Sequence, residues 1–90
     1  MTIELAVTPD ETVWIASLNR TRAEDYFRND MGRRDMRNLR IVNSTDQLRG
    51  QEGTGKTLHM IGGTFCHREN IAGSIAYLAK VQRFTLKVIA

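Results

Sequence analysis

Residues 50–57 read GQEGTGKT: Gly50, four residues, then Gly55, Lys56 and Thr57. That is the letter pattern of a loop whose backbone N–H groups wrap nucleotide phosphates. The chemistry needs an apolar strand running into the first glycine and a helix starting at the Lys-Thr pair, so that the helix N-terminus faces the phosphates. Here STDQLR precedes Gly50 and LHMIGG follows Thr57, neither a buried strand nor a helix. A magnesium-binding aspartate after a hydrophobic strand is missing as well. The context predicts a glycine-rich strand connection, with Lys56 and nearby N–H groups left to contact an anion.

The second chemical feature is a run of arginines. Arg28, Arg33, Arg34, Arg37 and Arg40 fall within FRNDMGRRDMRNLR, with Arg20 and Arg22 just upstream. Guanidinium groups suit bidentate contact with phosphate or carboxylate and stacking on flat rings. Asp25, Asp30 and Asp35 are interleaved and can pair with them, which leaves three readings of the stretch: a self-paired solvated face, a phosphate-backbone contact, or a docking surface for an acidic protein.

Catalytic and metal chemistry find little support. His59, Cys66 and His67 do not have a common zinc spacing. Cys66 beside His67 on a strand would point away from it, so Cys66 is expected to be buried and inert. Glu52 and Glu69 are single carboxylates without a visible partner for acid and base work. The expectation is no enzyme, no cofactor and no metal.

Charge and size bound the rest. The chain has 90 residues, with 13 Lys plus Arg against 10 Asp plus Glu, a net charge of +3. The sequence pI near 9.5 biases the protein mildly toward anionic partners. At 41% apolar and 26% charged residues, the composition is that of a globular protein, read as one α+β domain over residues 1–90. A single Cys excludes an internal disulfide, and no targeting segment or long apolar run stands out, so a cytoplasmic location is expected and no membrane contact.

The elements that must position these residues follow from periodicity. TIELAV alternates as a strand, with Ile3, Leu5 and Val7 on one face. TPDE then offers Thr8 as N-cap, Pro9 and Glu11 in a capping box, predicting a helix from Pro9 to about Asn19. Thr21 with Glu24 repeats the capping pattern, so RAEDYFRNDM either starts a second helix or continues the first, with Gly32 placed to end it. NLRIVN reads as a short strand, TDQLR as a possible helical turn capped by Thr45, and TLHMIGG as a strand. NIAGSIAYLAKVQ is a helix with Asn70 as cap and an Ile71, Ile75, Leu78 stripe. RFTLKVIA is a final strand, whose apolar surface could pair a second chain across an edge.

Strand, helix, strand, strand, helix, strand is the order of a ferredoxin-like βαββαβ sandwich with an antiparallel sheet. The alternative is a small mixed α/β layer with different strand pairing. Sheet-face RNA reading of the RRM type is disfavoured, because TIELAV carries no stacking aromatic and TLHMIGG offers only His59.

VNSTDQLRGQ followed by IGGTFCHRENIAGSI resembles short phage and prophage accessory proteins, in which a strand leads to a D-x-L-R-G turn and a G-T-[FW] segment precedes the last helix. Asp46, Leu48, Arg49 and Gly50, then Gly63, Thr64 and Phe65, carry the resemblance over about the second half of the chain. It implies a virus-derived protein that binds and blocks a host protein or nucleoprotein complex, such as an antiviral nuclease. In the resemblance Gly50 belongs to the turn.

Two functions are carried forward. One is a binding module or inhibitor that presents Arg28, Arg33, Arg34, Arg37, Arg40, Arg49 and Lys56 to a protein partner. The other is a nucleic-acid binder that places the same cations on phosphates.

Overall fold

A computed structural model describes residues 12–89. The TIELAV strand and the start of the expected Pro9 helix lie outside them. Over the described part of that helix the structure forms a strand instead: β1, Val13–Ala16, is buried at every position. VWIA has no alternation because both of its faces are covered, the usual condition of a central parallel strand.

The next elements follow in short order. Helix α1 is Arg20–Asp25, capped by Asn19, whose side chain accepts from the Arg22 N–H at 3.0 Å. Asn19 thus takes the capping role expected of Thr21. The helical segment continues through a π-helical turn at Tyr26–Asp30 and ends near Gly32. Strand β2 is Leu39–Val42, β3 is Thr57–Ile61, helix α2 is Glu69–Val81 and β4 is Thr85–Ile89. Ser44, not Thr45, caps the short 3-10 turn Thr45–Gln47 through a capping box with Gln47. At α2 the N-cap is Arg68, without a side-chain hydrogen bond, so Asn70 already lies inside the helix.

The four strands form one sheet in the order β2-β1-β3-β4, and every pair is parallel. This corrects the antiparallel ferredoxin-like sandwich, while the small α+β domain with a four-stranded sheet and two helices stands. The decisive segment is residues 43–56. Parallel strands need a crossover of about a dozen residues or more, and this stretch crosses back over β1 so that β3 joins the edge opposite β2.

Two packed layers result. On one face Val13 and Ile15 meet Ala23, Tyr26 and Phe27 from α1 and its π turn, with Ile61. On the other, Trp14 and Ala16 pack with Leu48, Leu58, Phe65, Phe84 and, from α2, Ile75 and Ala79. Trp14 and Phe84 meet edge to face, with centroids 5.5 Å apart, the geometry aromatic quadrupoles favour. Leu48 of the D-x-L-R-G turn is fully buried and plugs this layer from the crossover.

At the carboxyl ends of the central strands the Thr64 hydroxyl accepts from the Leu18 N–H at 3.2 Å and donates to the Ile61 carbonyl at 2.8 Å. Buried Ser17 accepts from the Asn19 N–H and donates to the Asn19 carbonyl. These bonds hold the turns after β1 and β3 together. No helix among the described residues is long and apolar enough to cross a membrane.

Candidate anion-binding site

At the opposite, amino end of the strands lies a cleft of about 520 Å³, whose lining includes Trp14, Met31, Arg33, Arg40, Lys56 and His59. Three separate segments deliver its cations. Arg33 follows the π turn, Arg40 sits at the second position of edge strand β2, and Lys56 ends the glycine loop just before β3.

Arg33 is the most constrained. Its Nε donates to Asp35 at 2.8 Å, a second guanidinium nitrogen meets the other Asp35 oxygen, and its Cζ lies 5.4 Å from the Phe27 ring centroid. Bidentate pairing and ring stacking fix the plane of the guanidinium. In return the Arg33 hydrogen bond, helped by one from Asn38, holds the Asp35 carboxyl well below the usual carboxylate range.

Arg40 is held by backbone. Its guanidinium donates to the Arg37 carbonyl at 2.9 Å and to the Leu39 carbonyl at 3.3 Å, and no carboxylate pairs with it among the described residues. Lys56 is exposed, but its backbone is pinned: its N–H donates to the Gly53 carbonyl and its carbonyl accepts from the Thr85 N–H, each at 2.8 Å.

The inner wall adds two groups. The Tyr26 hydroxyl lies 3.2 Å from His59 Nδ1. Burial, then the nearby Lys87 charge, push the His59 pKa down, and burial, then Asp30, push that of Tyr26 up. Both side chains are therefore neutral at pH 7, and His59 adds a polar but uncharged surface. The Trp14 indole N–H is buried and has no hydrogen-bond partner among the described residues, an arrangement that costs about 1–3 kcal/mol.

No carboxylate is among the described lining residues. Asp35 offsets the charge of Arg33, so Arg40 and Lys56 supply the net positive charge of the cleft, which an incoming phosphate or carboxylate would offset.

The arginine run is therefore divided. Arg33, Arg40 and Lys56 come together. Arg28 is exposed and paired with Asp25 at 3.6 Å, and Arg49 with Asp46 at 3.8 Å. Arg34 and Arg37 are exposed on the way into β2, outside the cleft lining. Trp14 and His59 were missed as cleft residues because Trp14 was assigned to a helix. For His59 a signal existed: in TLHMI it alternates with buried Leu58 and Met60 and so faces the other side of the sheet.

The glycine loop leads into a strand, so no helix starts at Lys56 and Thr57. Gly50 and Gly55 have φ of +77° and +80° and serve turns. Cys66 corrects another expectation. It is exposed, because it sits in the turn between β3 and α2 where Phe65 takes the buried position. No cluster of three His, Cys, Asp or Glu side chains that could hold a metal occurs among the described residues. Compared with protein families, curated proteins and solved structures, the chain matches none.

Proposed function

We propose that this protein is a non-enzymatic binding module that docks on an acidic surface of a partner protein, in the manner of a phage accessory protein acting on a host complex. The cleft of Arg33, Arg40 and Lys56 is the contact, rather than the whole arginine run. The observation that carries the reading is the meeting of Arg40 and Lys56, neither with a carboxylate partner among the described residues, on one cleft beside the Asp35-paired Arg33. Arg40 and Lys56 supply the charge that faces the partner, and Arg33, held in place by Asp35, forms a fixed wall beside them.

The test is fluorescence anisotropy with a labelled polyglutamate peptide, a short DNA duplex and a single-stranded RNA, each at low and near-physiological salt. Preferred binding of the acidic peptide, lost on Arg40→Glu with Lys56→Glu, is expected. Tighter binding of either nucleic acid, with a steep logarithmic salt slope, would transfer the cleft to phosphate backbones. Unchanged peptide binding by the double variant would remove the cleft from the contact.

A further inference from the structure

A second crevice lies at the other end of the sheet, where the topology reverses. From β1 the chain leaves through α1 toward β2 on one side, whereas β3 occupies the other side of β1 and leaves toward α2 and β4. α1 and α2 cover opposite faces. In an open parallel sheet the departing connections diverge at such a point and leave a crevice outside the strand ends, which is where ligands of these folds bind. Here that crevice measures about 580 Å³ and is lined by Leu18, Asn19, Arg22, Ile61, Gly63 and Thr64. The volume suits a small molecule.

Its chemistry is cationic. Arg22 is exposed and forms no ion pair among the described residues. The carboxylate one turn further along the helix, Asp25, is engaged by Arg28 at 3.6 Å. No acidic side chain is among the described lining residues. The first turn of α1 is already capped by Asn19, so recognition falls to the Arg22 guanidinium. The walls are fixed in advance: the Thr64 hydroxyl joins the turn after β3 to Leu18, and Ser17 and Asn19 lock the turn after β1. Gly63 adds no side chain to its wall.

We infer that this switch-point crevice binds the phosphate group of a small, nucleotide-sized ligand, with Arg22 as its charge partner. The site is distinct from the basic cleft and does not depend on it. Fixed walls spare the ligand the ordering cost that a mobile loop would add. A planar guanidinium then supplies two parallel N–H groups to the phosphate oxygens.

The experiment is an amide chemical-shift titration of the full chain with pyrophosphate, ADP and adenosine in turn. Saturable shifts at Leu18, Arg22 and Gly63 with pyrophosphate and ADP, and none with adenosine, are expected. Equal affinity for the two would make phosphate the whole determinant, and tighter ADP would extend the site to the nucleoside. Arg22→Gln, an exposed change, should weaken binding at least about tenfold, while Arg40→Gln with Lys56→Gln should leave it unchanged. The inference is overturned by absence of saturable shifts at millimolar ligand, by full binding in Arg22→Gln, or by shifts that vanish only in the cleft variant.

Discussion

Gly53 and Phe84 are packed so closely that a Cβ on Gly53 would lie 2.3 Å from Phe84 Cδ2 and 2.6 Å from the Phe84 backbone nitrogen. The contact brings the glycine loop against the start of β4, where the Gly53 N–H donates to the Gln82 carbonyl at 2.8 Å. Turning the Phe84 ring aside would not make room, because the Phe84 backbone nitrogen stays in place. Gly53→Ala should therefore destabilise the fold by about 3 kcal/mol, the upper part of the usual overpacking range. Urea unfolding measures it, and a midpoint like that of the parent would refute the packing.

Gly73 predicts the opposite. It lies within α2, is exposed, and nothing stands within 4 Å of a Cβ placed on it. Gly73→Ala should stabilise by about 0.5–1 kcal/mol through helix propensity and the unfolded chain's lost freedom. A melting temperature that falls would show that the outer face of α2 is occupied.

Leu48 is a loop residue that acts as core. Its complete burial among Val42, Leu58, Ile75 and Ala79 means that Leu48→Ala opens a cavity and should cost about 2–5 kcal/mol. The neighbouring Arg49→Ala, exposed and loosely paired, should change stability by less than about 0.5 kcal/mol. Equal effects from the two in chemical denaturation would break the assignment of Leu48 as the plug.

His59 gives a pH signature. Its pKa is lowered from 6.5 in the folded chain, chiefly by burial. On acidification the unfolded chain takes up the proton first, so stability falls as pH drops through 6.5 and levels off below the folded pKa. His59→Gln should flatten the unfolding free energy between about pH 7.5 and about pH 5.5. An unchanged slope in that window would place the titration elsewhere.

The elements from Leu39 onward were legible because each shows one dominant period. LRIV and TLHMI alternate, and the α2 segment carries its apolar stripe at helical spacing. β1 was not. VWIA is buried on both faces and so has no period to read, while the TPDE capping box before it argued for a helix. Strand direction was illegible for a different reason: β2 followed by β3 without a helix between them resembles an antiparallel pair, and only the buried Leu48 marks residues 43–56 as a covered crossover. The cleft was half legible. Arginine content pointed to Arg33 and Arg40 and the glycine loop to Lys56, but their meeting depends on β1 lying between β2 and β3.

That central placement of β1 also governs the timing of folding. Val13–Ala16 pairs with residues 39–42 on one side and with residues 58–60 on the other, and β3 is bordered in turn by residues 85–89. A chain emerging from the ribosome can pair β1 on one flank early, yet the other flank stays open until β3 is made. Sequence-distant pairing of this kind slows folding, and the half-built sheet presents VWIA as an apolar edge. The nascent form in which residues 39–42 have left the ribosome and residues 57–61 have not should therefore be the most aggregation-prone form of this protein.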